Sequence, residues 1–206
     1  MISLHEAYVR LDAAADSAPN GPVHDYLVDL SEQENANSLE VMNALLAEES
    51  DSAGDIARLR DTRIGAQLRE ISEDLDSRWR GALFALHPGN PDASRHFCAS
   101  SREIIIGILE KQVPDDIVRR AVPNCPTTED GRVTRRAKIE FALSRKGISG
   151  GPFVDFVQQD VDNIVELFRV LNDGTHGSAG RFDFQRLVTI KQRVEDGIVF
   201  LRTVLC

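Results

Sequence analysis

Apolar residues recur at intervals of three and four along most of this chain, and prolines and glycines cut the pattern into segments. The clearest stripe consists of Phe153, Phe156, Val157, Val161, Ile164, Phe168 and Leu171. That spacing is typical of amphipathic helices. No segment combines strand-like alternation with hairpin turns, and no internal repeat occurs, so the sequence predicts an all-α fold.

Prolines, glycines and capping residues divide the chain into predicted helices. These cover residues 2–16, 23–49 with an interruption at 31–38, 53–86, 90–112, 135–145, 153–173 and 184–205. The stretch 113–133 is predicted as a connecting loop with at most a short helix around 115–121. Asn90 before Pro91 favours one helix start, and Thr134 favours another. In the helix at 53–86, consecutive apolar residues of the stripe are spaced by three or four residues and once by five. Such a stripe is typical of a packed or coiled helix, and we expect it to support a homo-oligomer interface.

Charge divides the chain into two predicted parts. The net charge of -9 is unevenly distributed along the chain. Residues 1–76 hold 17 acidic residues and 5 arginines, whereas residues 77–206 hold 16 acidic and 19 basic residues. We therefore expect an acidic helical N-terminal segment at 1–76 and a helical bundle at 77–206. The acidic segment is interpreted either as an inhibitory or spacing element or as a solvated helix surface.

The sequence predicts a cytoplasmic protein. No window approaches the ~18 apolar residues that span a bilayer, and charged residues interrupt the N-terminus where a secretory signal needs an apolar run. Cys98, Cys125 and Cys206 are odd in number and lack metal-ligand spacing, which suits a reducing compartment. No P-loop, dinucleotide fingerprint, zinc pattern or nucleophile elbow occurs, so we predict no metal and no cofactor.

One constellation suits phosphodiester chemistry: Arg169, Asn172 and His176 are spaced by three and four residues, which places them on one helical face while the helix persists. Guanidinium binds phosphate, the amide orients the phosphate or a ribose hydroxyl, and imidazole moves protons near neutral pH. The alternative is structural, with Arg169 in ordinary ion pairs and His176 interacting with the helix dipole.

Two further groups of basic residues are candidates for binding RNA. Arg95 and Arg102 lie on one predicted helix and are expected to line the same groove as His176. The densest basic cluster consists of Arg132, Arg135, Arg136 and Lys138. Both groups have an alternative interpretation as solvated helix surface.

From about Ser77 to Leu205 the chain resembles the bacterial family of predicted pPIWI-associating nucleases. The runs that carry the resemblance are NPDASRHFCASSREIIIGIL at 90–109, TRRAKIEFAL at 134–143 and FVQQDVDNIVELFRVLNDGTHG at 156–177. The layout is also similar to the HEPN superfamily of helical bundles, in which Arg, four to six residues and His form a ribonuclease motif. Arg169 and His176 match that motif with six intervening residues.

The resemblance implies a metal-independent endoribonuclease of a bacterial defence or toxin system, which acts through the RNA 2'-hydroxyl at a site shared across a dimer. It also implies a partner protein from the defence system. The rival hypotheses are a catalytically inactive dimerisation or partner-docking module, and a nucleotide or RNA binder without turnover.

Overall fold

A computed structural model describes residues 3–16, 21–46, 62–86, 90, 92–148, 151–173 and 184–205. For residues 44–46, 167–173 and 184–186 it describes the backbone alone. The helices are α1 Leu4–Ala15, α2 Pro22–Leu46, α3 Gly65–Ile71, α4 Glu73–Ala85, α5 Ala93–Gln112, α6 Asp115–Ala121, α7 Arg135–Arg145, α8 Gly151–Asp173 and α9 Phe184–Leu205. Within these ranges no strand forms, and the predicted all-α fold is confirmed.

Local capping chemistry sets several helix ends. Ser3 forms a capping box with Glu6 at the start of α1. Thr134 caps α7 by accepting a hydrogen bond from the Ala137 amide at 3.3 Å, as the sequence predicts. After α7, Gly147 adopts a φ of 75°, the left-handed conformation that favours glycine at the end of a helix. The predicted bounds of α7 and α9 are confirmed, and the short helix allowed around 115–121 within the predicted connecting loop forms as α6.

Helix α2 is continuous, so the predicted interruption at 31–38 is wrong. Its polar residues are used inside the structure: Ser31 and Ser38 are buried, and Ser31 Oγ donates to the Leu27 carbonyl at 2.8 Å. Asn35 Nδ2 lies 3.3 Å from His5 Nδ1 on α1. Because these groups find partners, they do not compete with the helical backbone as they would in water.

The predicted single helix at 53–86 is also wrong where the structure describes it. The chain breaks at Ser72, whose φ of -170° and ψ of 133° are extended, and α4 then begins with three acidic residues in its first turn. Acidic side chains stabilise a helix start through the helix dipole. Ile64, Leu68 and Leu75 are at most 2% exposed, so these three described members of the stripe belong to the core.

The chain forms two compact units. The first unit consists of Met1–Ala36, Ile108–Asn163 and Val199–Cys206. Its core includes a row of aromatic rings, in which Phe156 on α8 lies 6.3 Å from Tyr8 and 5.8 Å from Phe200 between ring centroids. Helix α1 is therefore anchored by an aromatic side chain from α8.

The second unit consists of Asn37–Gly107 and Ile164–Ile198. Trp79 is fully buried there, 5.8 Å from Phe97 between ring centroids, and its indole N–H donates to Thr62 Oγ1 at 2.7 Å. The predicted division into 1–76 and 77–206 follows charge and resemblance, and it stays a prediction. Across the described helices, none has the length and apolar character needed to cross a membrane.

Candidate nuclease site

Helix α8 carries the first two residues of the candidate catalytic trio. Its backbone is helical through Arg169 and Asn172 and ends at Asp173, so these residues stand three apart in one uninterrupted helix. The side chains of Arg169 and Asn172, and the whole of His176, lie outside the described residues. Their catalytic roles stay predictions.

Close packing between α8 and α9 fixes the part of α8 that precedes Arg169. Ile164 on α8 is 1% exposed and lies against Gly197 on α9. A Cβ at Gly197 would overlap Ile164 Cδ1 and would lie 3.1 Å from Arg193 Nη1. Only glycine fits this approach without displacement of its neighbours. The contact between Ile164 and Gly197 fixes the position of α8 relative to α9 five residues before Arg169.

Buried charges on α9 surround that contact. Arg193 is fully buried, and its Nε donates to Ser38 Oγ on α2 at 2.9 Å. Lys191 Nζ lies 3.3 Å from Glu195 Oε2, and both side chains are buried. Glu195 also pairs with Arg63 before α3, at 3.5 Å. Buried charges are strongly destabilising unless they are paired, so these contacts link α2, α9 and the start of α3 into one arrangement.

Arg95 and Arg102 lie on α5 in the second unit, which also contains the α8 segment with Arg169. Seven residues apart, they occupy one helical face about 10 Å from each other along the axis. Arg95 pairs with Asp92 at 2.6 Å, and His96 Nε2 lies 3.3 Å from the same carboxylate. Arg102 is exposed and has no ion-pair partner in the described part of the chain.

The densest basic cluster lies in the first unit, and each of its members has a carboxylate partner. The shortest ion pairs join Arg132 to Asp130 at 2.8 Å, Arg135 to Asp162 at 2.6 Å, Arg136 to Asp155 at 2.7 Å and Lys138 to Asp115 at 2.6 Å. This cluster belongs to the first unit, whereas Arg95 and Arg102 belong to the second. Its RNA-binding role stays a prediction.

Lys138 is the most enclosed member of that cluster, at 5% exposure. Burial raises the pKa of Asp115, but hydrogen bonds from Lys138 and from the Val133 backbone N–H outweigh it and hold that pKa below its ordinary value. The pair connects α7 to α6 and to the loop before α7. This geometry favours a structural role for the ammonium group.

A network around Asp76 was not predicted from the sequence. Asp76 on α4 is 4% exposed, and its Oδ2 accepts hydrogen bonds from Arg69 Nε at 3.1 Å, from Arg69 Nη2 at 3.0 Å and from Arg80 Nη2 at 2.5 Å. The hydrogen bond from Arg80 is the main cause that lowers the pKa of Asp76, and Arg69 adds to it against the opposing effect of burial. The Asp76–Arg80 spacing of four is a visible signal, but Arg69 reaches Asp76 across the break at Ser72.

Within the described residues, no group of three His, Cys, Asp or Glu side chains is arranged to hold a metal ion. Cys98 and Cys125 are buried free thiols, and burial raises the pKa of Cys98 to about 12. A thiol with that pKa is not ionised near neutral pH, which agrees with a packing role for Cys98.

Residues 68–201 match the family model described as predicted pPIWI-associating nuclease. The match covers more than half of the 206 residues, and the chain belongs to this family. The resemblance predicted from the sequence is thereby confirmed, and it supports a nuclease role together with a pPIWI partner protein. Comparison with curated proteins and with solved structures finds no match.

Proposed function

We propose that this protein is a metal-independent endoribonuclease of a bacterial defence system, with Arg169, Asn172 and His176 at its centre. The observation that carries the proposal is the family match, which includes the whole run from Arg169 to His176. The uninterrupted helix through Asn172 supports it, because it gives Arg169 and Asn172 the spacing that a shared phosphate or ribose contact needs.

In the proposed reaction, the RNA 2'-oxygen attacks the adjacent phosphorus and the bond to the 5'-oxygen breaks. Two protons move in this step: one leaves the 2'-hydroxyl and one is gained by the 5'-oxygen. His176 moves one of them, and solvent water exchanges the other. Arg169 stays charged and stabilises the negative phosphorane-like state. Asn172 orients the phosphate or the ribose. The products are a 2',3'-cyclic phosphate and a 5'-hydroxyl, which balance the atoms of the substrate.

Arg95 and Arg102 are the proposed RNA contacts beside this centre, because both are exposed and belong to the same compact unit as Arg169. Arg102 is the stronger candidate of the two, since Arg95 already has the Asp92 carboxylate at 2.6 Å. A phosphate contact by Arg102 therefore does not require an ion pair with any described residue to break.

The proposed active form is a homodimer that works with a pPIWI partner. A site shared between two subunits follows from the resemblance to HEPN ribonucleases. Partner docking without turnover is the second candidate function, and the association with pPIWI in the family description supports its docking part. In the first unit, an apolar pocket lined by Val118, Val122, Cys125 and Phe141 between α6 and α7 is a surface that suits such docking.

The proposal is tested by measuring RNA cleavage with purified wild type, His176→Ala and Arg169→Ala, each with and without the partner protein. Loss of general acid–base catalysis is expected to slow cleavage by about 10²- to 10⁴-fold, and loss of Arg169 by a comparable factor.

The matched controls are His96→Ala and Arg120→Ala. Both replaced residues are exposed, and their ion pairs are helical-surface pairs with Asp92 and Asp116. Melting temperatures identify any variant that is merely unfolded. A folded His176→Ala protein that cuts at the wild-type rate overturns the catalytic assignment. Absence of wild-type cleavage with the partner present leaves docking as the function.

A further inference from the structure

The Asp76 network differs in charge from other surface ion pairs of the second unit. One buried carboxylate holds two guanidinium groups at the same oxygen atom, so Arg69, Asp76 and Arg80 together carry a charge of +1. Arg69 is 54% exposed and Arg80 is 61% exposed in their side chains. The excess positive charge therefore lies at the surface, while the negative charge lies beneath it.

Arg78 provides the internal comparison, because it lies on α4 between Asp76 and Arg80. It pairs with both Asp74 and Glu103, so that cluster carries a charge of -1. Helix α4 thus takes part in two clusters: Arg78 with the two carboxylates of Asp74 and Glu103, and Arg80, together with Arg69 from α3, with the one carboxylate of Asp76. Of these two arrangements, counted over the residues that the structure describes, only the second has one guanidinium more than it has carboxylates.

The two arginines retain donors that Asp76 does not use. A guanidinium has five N–H donors in a rigid plane. Arg69 uses its Nε and Nη2 atoms on Asp76, and Arg80 uses its Nη2 atom. The remaining donors belong to side chains that are more than half exposed. Because Asp76 already holds both guanidinium groups in place, the two arginine side chains lose less conformational entropy when a ligand binds them.

We propose that Arg69 and Arg80 bind a backbone phosphate of the RNA, with Asp76 as the residue that positions them. Two guanidinium groups beside one another, with a net positive charge, suit a phosphate oxyanion. The inference rests on the proposed function for the identity of the ligand as RNA. It adds a phosphate contact on α3 and α4, outside the Arg169–His176 motif but within the residues that the family match covers.

The test measures binding, so that its result is independent of cleavage. The His176→Ala protein is titrated into a short, fluorescently labelled single-stranded RNA, and anisotropy is followed at several salt concentrations. Arg69→Gln and Arg80→Gln are added singly, because each leaves the other arginine on Asp76. Each is expected to weaken binding by about threefold to tenfold at low salt. Each should also make the slope of log affinity against log salt concentration shallower by about 0.7.

Arg78→Gln is the matched control, and its affinity is expected to stay within about twofold of the parent because its cluster has no uncompensated cation. If Arg69→Gln or Arg80→Gln is unstable, Arg→Lys at the same position keeps the charge at Asp76 and should weaken binding less than the glutamine variant. Unchanged affinity in folded glutamine variants overturns the proposal and leaves a structural triad. Equal losses in all three variants, Arg78→Gln included, also overturn it, because they indicate a general charge effect.

The outcome separates this inference from the proposed function. Loss of affinity in the Arg69 and Arg80 variants stands even if His176→Ala fails to abolish cleavage in the earlier experiment. Normal affinity in these variants, together with His176-dependent cleavage, rejects the phosphate site alone.

Discussion

Replacing Gly197 by alanine should destabilise the second unit, although alanine is the better helix former. The new methyl group would overlap Ile164 Cδ1, and Ile164 is 1% exposed. A buried side chain in a close-packed core has no free space into which it can move. The contact between α8 and α9 therefore opposes the local preference for alanine.

The magnitude follows from two opposing terms. Alanine in place of a helical glycine gains about 1 kcal/mol of propensity. An extra methyl group in a packed core costs about 1–3 kcal/mol. We expect a net loss of about 1 kcal/mol in the free energy of unfolding, measured from urea denaturation midpoints with a common slope.

Gly81 on α4 supplies the control, because apart from its own helix backbone no described neighbour lies within 4 Å of a Cβ at that position. Gly81→Ala should stabilise the protein by up to about 1 kcal/mol. Since both variants carry the same propensity change, the difference between them measures the contact with Ile164. Ile164→Val removes Cδ1, and Gly197→Ala should be less destabilising in that background. If Gly197→Ala stabilises as much as Gly81→Ala, α8 and α9 do not approach as described.

Three further predictions concern charge and burial. The fold lowers the pKa of Asp76, so the ionised carboxylate stabilises the protein at pH values above 3.8, the ordinary pKa of this group. This stabilisation is lost as the pH falls through the folded pKa. Asp76→Asn should therefore flatten the acid limb of a plot of melting temperature against pH. Lys138→Gln should lower stability by about 1–3 kcal/mol with unchanged RNA affinity, and a large fall in affinity without unfolding would instead support RNA contact. In a Cys125→Ser/Cys206→Ser protein, Cys98 should resist thiol reagents until urea unfolds the chain, because burial raises its pKa to about 12; rapid labelling of the native protein would contradict its buried placement.

Local signals explain the parts of the fold that the sequence predicted well. The cap of α7 joins Thr134 to an amide three residues away, and glycine follows that helix in the left-handed conformation. Such contacts lie within one turn, so the sequence displays both partners side by side. Arg169 and Asn172 likewise stand within one turn of α8, so the helical spacing between them is visible in the sequence.

Distant partners explain the failures. The polar residues of α2 resemble a helix break because serine and asparagine favour loops, but Asn35 reaches His5 and Ser38 reaches Arg193, which lies 155 residues away. No local pattern displays such pairs. The ion pairs of the basic cluster are hidden from the sequence for the same reason, since the Arg135–Asp162 pair spans 27 residues and becomes visible only in the fold.

The chemistry of the RNA ends tests the central proposal most directly. Wild-type protein, with its partner and a metal chelator, is incubated with an RNA and with the same RNA carrying a 2'-deoxy nucleotide at the cleavage position. The account predicts a 2',3'-cyclic phosphate and a 5'-hydroxyl from the first substrate, no cut at the modified position of the second, and no products from His176→Ala. Cleavage that persists at the 2'-deoxy position, or products with a 5'-phosphate, would contradict transfer through the 2'-hydroxyl at Arg169 and His176.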